Sequence, residues 1–367
     1  MQTYRDCLRD LKPYVPGKPI SAVKRQYGLS EVVKLASNEN PYGCSPRVAE
    51  AVAATFKETQ VYPDGYCTEL RGAISAKFKV EPERILFGAG TDEVIAMLGK
   101  VFIEPGDECV TAAVTFPQYA SAVESMGGRM VYAPMSSEMK CDMRSLLKYV
   151  TPKTKLVFIA NPNNPTGHYN TSEEQDALMR EMPENVTVVF DEAYSEYVAT
   201  DDYPNTLETL KKYSNAILLK TFSKVYGLAS LRVGYGIMNA ETASYAERFR
   251  PPFNVSTQAQ AAALAAFGDE EFVLMSASEN RRVMELAVSK LRKIGAECIP
   301  SQANFVAANL GLPSTETFQT LMENGYIVRS GVALGLPDGY QRITIGTERQ
   351  ISGLIETIMN MKYSAFN

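Results

Sequence analysis

The sequence predicts an α/β fold in which a mainly parallel, doubly wound sheet forms a large domain and a smaller α+β lobe is attached to it. The first observation is length, because single hydrophobic cores rarely grow past roughly 250–300 residues and this chain has 367. The second is an alternation of apolar runs and helical segments from residue 84 onward, which is typical of parallel sheets. We place the large domain at residues 40–269, and the smaller lobe at residues 1–39, which include an N-terminal arm, together with residues 270–367. The six apolar runs occupy residues 84–87, 108–110, 130–132, 156–159, 186–190 and 216–219.

Composition and charge exclude several classes of function. A net charge of −5 argues against nucleic acid as the main partner. The chain has one histidine, His168, so a multi-histidine metal site is impossible and we expect no metal. Its six cysteines show no short repeat spacing, which indicates reduced thiols in a cytoplasmic protein. The sequence contains no run of 18 apolar residues, so we expect no membrane partner.

The first sixty residues predict an arm, a short strand and a helix. Prolines and a glycine in residues 11–17 prevent a continuous helix, so this segment is predicted to be an extended arm that carries Tyr14. Residues 34–42 predict a short apolar strand and a polar turn, although an ordinary loop also explains them. The Ser-Pro pair at 45–46 then predicts the start of a helix through about Thr59.

The next segment predicts an exposed corner. A turn at residues 61–65 places Tyr62 on the surface, and an amphipathic helix follows at residues 70–78. An exposed tyrosine is explained by packing alone, so this turn by itself predicts no function.

Polar side chains follow four of the six apolar runs, at the point where each run ends. Because the carboxyl ends of parallel strands share one edge of a sheet, we expect the four clusters to line a single crevice. Each cluster also has an ordinary explanation, since a Gly-x-Gly before a helix is usually a tight turn and asparagine-proline pairs form turns by themselves. The clusters are Gly88-Ala-Gly-Thr-Asp-Glu93, Asn161-Pro-Asn-Asn-Pro-Thr-Gly167, Asp191-Glu-Ala-Tyr194 and Thr221-Phe-Ser-Lys-Val-Tyr-Gly227.

Lys224 is the strongest candidate for chemistry in these clusters. Burial favours the neutral amine of a lysine, and a neutral amine can attack a carbonyl to form a Schiff base. The hydroxyls of Thr221 and Ser223 and the guanidinium of Arg232 can donate to an oxyanion beside it. The helix that begins after Gly90 can hold a phosphate at its N-terminus. A pyridoxal phosphate cofactor satisfies both demands, and a solvated loop lysine is the alternative.

The order of these motifs resembles the pyridoxal-phosphate-dependent aminotransferases of the aspartate aminotransferase fold, from about Leu11 to Lys362. The motifs that carry the resemblance are Asn-Pro-Thr-Gly, Asp-x-x-Tyr, Ser-Lys and Arg-x-Gly-Tyr, ending at Gly167, Tyr194, Lys224 and Tyr235. Within the family the chain is most similar to the histidinol-phosphate branch. The segments that carry this closer similarity are Pro13-Tyr-x-Pro-Gly17, Leu35-Ala-Ser-Asn-Glu-Asn-Pro41, Tyr62-Pro-Asp64 and Arg342-Ile-Thr-Ile-Gly-Thr347.

The resemblance implies a role for each residue of the cofactor site. Lys224 bonds covalently to the cofactor and moves the proton at the substrate Cα, while Asp191 pairs with the pyridine N–H. Asn164 and Tyr194 donate to the 3-oxygen of the ring, and Phe116 stacks on the ring. Lys224, Asp191 and Tyr194 are thus the implied catalytic residues. The other implied cofactor contacts, most of them at the phosphate, are Gly90, Thr91, Asp92, Thr221, Ser223 and Arg232, with Tyr62 supplied by the other subunit of a homodimer.

The resemblance also implies the substrates, which are histidinol phosphate and 2-oxoglutarate. Arg342 matches the arginine that binds a carboxylate. Arg329 is placed like the ligand of a second anionic group, and a surface arginine on an edge strand is the alternative. Tyr14, Asn38 and Glu39 are implied to line the substrate pocket.

Three other functions remain open at this point. An aromatic amino-acid aminotransferase and an amino-acid-phosphate decarboxylase both resemble this branch. A cofactor-binding regulatory domain that has lost catalysis would keep the same fold. Against that last alternative, every expected chemical position is filled and no appended DNA-binding segment is visible in the sequence.

Overall fold

The computed structural model describes residues 3–9, 11–13 and 17–365, with side chains through residue 363. Tyr14 therefore lies outside the described residues. The helix predicted from the Ser-Pro pair begins at Arg47 and ends in a short 3-10 turn at Phe56–Glu58. The α-helices are α1 Ile20–Tyr27, α2 Arg47–Thr55, α3 Thr68–Phe78, α4 Thr91–Phe102, α5 Gln118–Glu124, α6 Met143–Leu147, α7 Ser172–Glu181, α8 Thr206–Lys212, α9 Ala240–Glu247, α10 Thr257–Phe267, α11 Glu270–Lys293, α12 Ser314–Glu323 and α13 Glu348–Ala365. The strands are β1 Val33–Lys34, β2 Ile85–Gly88, β3 Glu108–Ala112, β4 Arg129–Ala133, β5 Thr154–Ala160, β6 Thr187–Asp191, β7 Ala216–Thr221, β8 Gly234–Ile237, β9 Glu297–Cys298, β10 Phe305–Asn309, β11 Tyr326–Ile327, β12 Arg329–Ser330 and β13 Tyr340–Thr344.

Seven strands form the central sheet of the large domain, in the order β2-β8-β7-β6-β5-β3-β4. Strands β3 to β7 pair in parallel, whereas β8 is antiparallel to both β7 and β2. Strand β2 consequently runs parallel to β7, and the carboxyl ends of all six predicted strands lie at one edge. The prediction of a mainly parallel α/β sheet is confirmed.

The sequence does not predict β8, because Gly234 and Gly236 interrupt its apolar residues. The structure explains these glycines by close packing. A Cβ on Gly234 would lie 2.7 Å from the backbone nitrogen of Thr91, and a Cβ on Gly236 would lie 3.1 Å from the Leu219 side chain. Glycine at both positions lets α4 begin close beside the sheet.

Both faces of the central sheet are covered, which is why its strands are apolar along their whole length. Every residue of β6 is buried. Val188 and Phe190 belong to one apolar cluster, and Val189 between them belongs to the cluster on the other face. Asp191 ends this strand, so a carboxylate lies where two apolar layers stop.

The smaller lobe is built from segments near both ends of the chain. Its antiparallel sheet has the order β12-β13-β10-β9. Strand β1 pairs in parallel with β11, with Val33 opposite Tyr326. A separate apolar cluster includes Leu35, Val306 and Ile343. These contacts place the segment around Leu35 beside the C-terminal residues, next to the carboxyl edge of the central sheet.

The described part of the chain contains the six cysteines and the one histidine of the sequence, together with its helices. All six cysteines are free. His168 is half-buried, and its Nε2 lies 2.8 Å from the carbonyl oxygen of Glu138. The described residues contain no group of three or more metal-ligating side chains. None of the described helices is long and apolar enough to cross a membrane.

Candidate active site

The four polar clusters meet at the carboxyl edge of the central sheet. They border a cavity of about 270 Å³. Each cluster contributes at least one residue to its wall, for example Thr91, Asn164, Asp191 and Lys224. The smaller lobe supplies the opposite wall. The structure therefore brings together side chains that are far apart in the sequence, as expected of a crevice at parallel strand ends.

Asp191 presents one bound and one open carboxylate oxygen. Its Oδ2 accepts a hydrogen bond of 2.8 Å from the Tyr119 hydroxyl, and both residues are buried. Its Oδ1 is buried without a hydrogen-bond partner among the described residues. Burial raises the pKa of the Asp191 carboxyl to about 6, although the Tyr119 hydrogen bond opposes the shift. A buried acceptor that needs a partner fits the N–H of a cationic ring.

Tyr119 is a residue of the site that the sequence analysis does not identify. It lies in α5 and stacks on Phe158, with ring centroids 4.5 Å apart and planes 3° from parallel. Its ring is also nearly perpendicular to that of Phe116, with ring centroids 5.6 Å apart. A tyrosine in a helix is usually explained by core packing, so no sequence signal distinguishes it.

Lys224 lies in a tight turn that follows β7. Its Nζ donates to the carbonyl oxygen of Ser37 at 3.3 Å and lies 5.6 Å from the centre of the Tyr194 ring. The turn closes with a 2.9 Å hydrogen bond from the Gly227 N–H to the Lys224 carbonyl oxygen. Gly227 has φ +71°, and a Cβ there would collide with the carbonyl oxygen of Gly43. The turn is therefore pressed against the N-terminal segment.

A second group of side chains can hold a phosphate. Gly90 has φ +83° and precedes α4, and the Arg232 guanidinium occupies the space that a Gly90 side chain would fill. Arg232 also lies 3.5 Å from Ser223 Oγ and 3.4 Å from Asp92 Oδ2. The Ser223 N–H donates to the Thr221 hydroxyl at 3.1 Å. A guanidinium, a hydroxyl and the start of a helix are suitable donors for a phosphate.

Tyr194 is bound to two amide side chains. Its Oη lies 2.9 Å from Asn38 Nδ2 and 3.3 Å from Asn164 Nδ2. The Arg342 guanidinium donates to Asn164 Oδ1 at 2.7 Å and also to the Ala36 carbonyl oxygen. Tyr194 is thus connected to the N-terminal segment and to β13 of the smaller lobe.

Arg329 and Arg342 form the cationic part of the opposite wall. They are directly opposed in the antiparallel pair of β12 and β13, so their side chains share one face. Both line the cavity. Within the described ranges, Arg329 makes no ion pair or hydrogen bond through its side chain. Phe116, Asn38 and Glu39 also line the cavity.

Tyr62, which the resemblance implies at the phosphate site, does not line this cavity. Its side chain is 78% exposed, and its ring stacks on Phe253 at a centroid distance of 4.7 Å. An exposed aromatic pair of this kind is available to a second molecule.

Comparison with known proteins agrees with the fold and identifies the family. The sequence profile of the family "Aminotransferase class I and II" matches residues 30–358. The chain belongs to this aminotransferase family. The histidinol-phosphate aminotransferase of Geobacillus thermodenitrificans is 45% identical over 97% of each chain. That of Bacillus subtilis (strain 168) is 45% identical over 94% of this chain and 96% of its own.

Two solved structures extend the comparison. The histidinol-phosphate aminotransferase of Sinorhizobium meliloti, solved in complex with pyridoxal-5'-phosphate, has a TM-score of 0.89 and 28% identity, and covers 98% of this chain and 99% of its own. The aspartate aminotransferase of Thermus thermophilus has a TM-score of 0.84 and covers 98% of this chain and 100% of its own. At 22% identity, this second match supports the fold alone.

Proposed function

We propose that this chain is a pyridoxal-phosphate-dependent aminotransferase of histidine biosynthesis. It would transfer the amino group of histidinol phosphate to 2-oxoglutarate, giving imidazole acetol phosphate and glutamate. The observation that carries the proposal is one cavity that holds Lys224 and Asp191 on one wall and the Arg329 and Arg342 pair on the other.

The cavity residues fit pyridoxal phosphate. The open Oδ1 of Asp191 would accept the ring N–H, and Lys224 would bond covalently to the cofactor. Ser223, Arg232 and the N-terminus of α4 at Thr91 would hold the phosphate. When bound, the cofactor supplies an electron-withdrawing ring that stabilises negative charge on the substrate Cα.

The protein's own contribution is proton transfer and orientation. Once the substrate amine has displaced Lys224 from the cofactor, the freed Lys224 amine would take the proton from the substrate Cα, and in the second half of the reaction it would deliver a proton to the Cα of the oxo acid. Asp191 stays ionised when it faces a cationic N–H, because the opposite charge offsets the cost of burial. Asn164 and Tyr194 would donate hydrogen bonds to the 3-oxygen of the ring.

The two arginines match two anionic groups. Arg342 would bind the carboxylate of glutamate with its planar fork, and Arg329 would bind the phosphate of histidinol phosphate. Arg329 makes no ion pair with another described residue, so its charge is available. Histidinol phosphate and phenylalanine each carry one anionic group, but the phosphate is close to a dianion and suits a pair of guanidinium groups better than a single carboxylate does, which favours the phosphate substrate.

The domain organisation, assembly and location of the protein follow from the same features. We propose residues 40–269 as the cofactor-binding domain, with residues 1–39 and 270–367 as the small domain. The protein would form a homodimer in which Tyr62 of one subunit reaches the phosphate site of the other. Six free thiols suit a reducing, cytoplasmic location.

A substrate panel tests the proposal. Purified protein loaded with pyridoxal phosphate would be assayed with 2-oxoglutarate and with histidinol phosphate, phenylalanine or threonine phosphate. We expect the highest kcat/KM with histidinol phosphate. Preference for phenylalanine would support the aromatic alternative, and loss of CO₂ from threonine phosphate would support a decarboxylase. No turnover of any substrate by the loaded protein would contradict catalysis.

A further inference from the structure

The hydroxyl of Tyr194 has both of its lone pairs occupied. Asn38 Nδ2 approaches it at 2.9 Å and Asn164 Nδ2 at 3.3 Å. A phenolic oxygen can accept two hydrogen bonds and donate one. If both amides donate, the Tyr194 hydrogen must point away from them.

The orientation of the Asn38 amide is determined by Thr344. The Thr344 hydroxyl accepts the backbone N–H of Asn38 at 3.0 Å, so its own hydrogen is free to donate. It donates to Asn38 Oδ1 at 2.9 Å. Among the described contacts the buried Thr344 hydroxyl has no other acceptor for its hydrogen, so the oxygen of the Asn38 amide faces Thr344 and its NH₂ group faces Tyr194.

The orientation of the Asn164 amide is determined by Arg342 in the same way. An arginine side chain only donates hydrogen bonds. Because Arg342 Nη1 lies 2.7 Å from the Asn164 amide, the group that faces it is the oxygen Oδ1. The NH₂ group of Asn164 consequently faces Tyr194.

Asn38 is held rigidly enough to impose this arrangement. It is 1% exposed, and its φ of +56° is a left-handed conformation that asparagine tolerates better than most residues. Its carbonyl oxygen accepts a hydrogen bond of 2.9 Å from Asn304 Nδ2. Backbone and side chain are thus fixed by two residues of the smaller lobe, Asn304 and Thr344.

We propose that Asn38 is a positioning residue that directs the Tyr194 O–H into the cavity. The proposal rests on the proposed function, in which Tyr194 donates to the 3-oxygen of the cofactor. Asn38 then acts on the cofactor through Tyr194, instead of binding the substrate as the family resemblance implies. It also makes the donor strength of Tyr194 depend on the smaller lobe, since Thr344 sets the Asn38 amide.

The test measures the visible absorbance of the cofactor-loaded protein as a function of pH. In Asn38→Ala, Tyr194 loses one of two donors that polarise its O–H, so it donates more weakly to the cofactor. The protonated form of the bound cofactor then persists to higher pH, and we expect the midpoint to rise by about 0.5–1 pH unit, the equivalent of one neutral hydrogen bond. In Asn38→Asp the new carboxylate accepts from Tyr194 and turns its hydrogen away from the cavity, so the rise should be larger.

Kinetics separate positioning from substrate binding. If Asn38 acts through Tyr194, kcat should fall by about 3–10-fold while KM for both substrates changes by less than about 2-fold. A large rise in KM with an unchanged absorbance midpoint would mean that Asn38 binds substrate directly, and the proposal would be wrong.

Two further variants serve as references. Thr344→Val keeps the shape of the side chain but removes the hydroxyl that orients the Asn38 amide, so it should raise the midpoint as the Asn38 variants do. This variant also keeps the proposal testable if the Asn38 variants do not fold. Asn280→Ala removes a different buried amide, which donates to the Ala303 carbonyl oxygen at 3.2 Å, and should leave the midpoint at the wild-type value.

The outcomes distinguish this proposal from the proposed function. A wild-type protein that acquires no visible absorbance with pyridoxal phosphate would contradict the proposed function itself. If the wild-type protein binds the cofactor and Tyr194→Phe shifts the absorbance midpoint, but Asn38→Ala, Asn38→Asp and Thr344→Val do not, only the role of Asn38 would be contradicted.

Discussion

At the residue scale, Lys224 is distinguished from its neighbour Lys220 by its surroundings. Lys220 is four residues earlier, and its Nζ is held by Ser195 Oγ at 2.6 Å and by Glu196 at 3.0 Å. Lys224 instead makes one long hydrogen bond to a carbonyl oxygen, at 3.3 Å. Of these two lysines, the structure leaves Lys224 available for bonding to a ligand in the cavity.

The first prediction concerns the covalent link. Borohydride reduction of the loaded protein should fix the cofactor to the peptide that contains Lys224, as detected by mass spectrometry. Lys224→Ala should keep cofactor affinity, because Asp191 and Arg232 remain, but should lose on the order of 10²–10⁴ in turnover with the proton-transferring group. Label on Lys220, or wild-type turnover in Lys224→Ala, would refute the assignment.

The second prediction concerns Arg342. Arg342→Lys removes the planar fork and should weaken productive binding of glutamate by about 2–4 kcal/mol. Cofactor content should stay at the wild-type level, because the implied phosphate ligands are on the other wall. The measurement is kcat/KM for glutamate, with Arg329→Lys as the matched variant that should affect the phosphate substrate more. Loss of cofactor in Arg342→Lys would show that the residue has been assigned the wrong role.

Residue identities at strand ends could be predicted from the sequence, but hydrogen-bond partners across the site could not. Asp191 and Lys224 each follow an apolar run, so local pattern is sufficient to find them. Tyr119 is 72 residues from Asp191, and Thr344 is 306 residues from Asn38. Only the folded chain shows that these pairs meet.

At the scale of elements, a largely buried charged cluster joins β7 to the segment that follows β6. Glu192 and Lys220 are each next in sequence to a cavity residue, and the Lys220 Nζ lies 3.8 Å from Glu192. The Thr206 hydroxyl also donates to Glu192. Two carboxylates, Glu192 and Glu196, face one lysine, so the cluster holds an excess negative charge when both are ionised.

The third prediction follows from that cluster and concerns stability. Burial raises the pKa of Glu192 to about 7 from 4.5, although Lys220 opposes the shift. Between these pH values the folded protein binds the proton more tightly than the unfolded chain, so the free energy of unfolding should fall as pH rises. In Glu192→Gln this fall should be shallower by about 1–2 kcal/mol between pH 5 and pH 7.5. Urea unfolding at both pH values gives the free energy of unfolding of each protein. An equal change in this free energy between the two pH values for wild type and variant would contradict the prediction.

The fourth prediction concerns the turn that carries Lys224. Gly227→Ala introduces a Cβ at φ +71° that collides with the Gly43 carbonyl oxygen, whereas Gly311→Ala introduces one at φ +68° with no atom within 4 Å. Gly311→Ala is the control, and it should lower stability by about 1–2 kcal/mol, the usual cost of left-handed backbone for a residue with a Cβ. Gly227→Ala should cost at least about 1 kcal/mol more and reduce cofactor loading, since the turn must move. Urea unfolding and absorbance measure both effects, and equal costs would mean that the contact is not restrictive.

Elements with regular apolar patterns could also be predicted, whereas β8 could not. The six predicted runs are strands because both faces of the sheet are covered. Strand β8 contains Gly234 and Gly236, which allow close packing against α4 and β7. The local sequence pattern cannot show these contacts. Strand β8 runs antiparallel to its neighbours β2 and β7, but the carboxyl ends of the six predicted strands still lie at one edge.

At the scale of the whole molecule, the fifth prediction is a homodimer with shared sites. Tyr62 and Phe253 form an exposed stacked pair that does not reach the cavity of their own subunit. We expect sedimentation to give a dimer, and Tyr62→Phe to weaken cofactor binding because the partner's phosphate site loses a hydroxyl. An active monomer would refute this organisation, and unchanged cofactor affinity in Tyr62→Phe would refute the role of its hydroxyl.

The contacts of Asn38 also determine when the site can be completed during translation. The strands of the central sheet lie within residues 85–237, so that sheet can form while the rest of the chain is still being made. The hydrogen bond between Asn38 and Thr344 can form only after Thr344 has been synthesised, 306 residues later. At bacterial and eukaryotic rates of 5–20 residues per second, this delay is roughly 15–60 s. A chain that stops before β13 would therefore have its large sheet in place while the Asn38 amide still lacked the threonine that orients it.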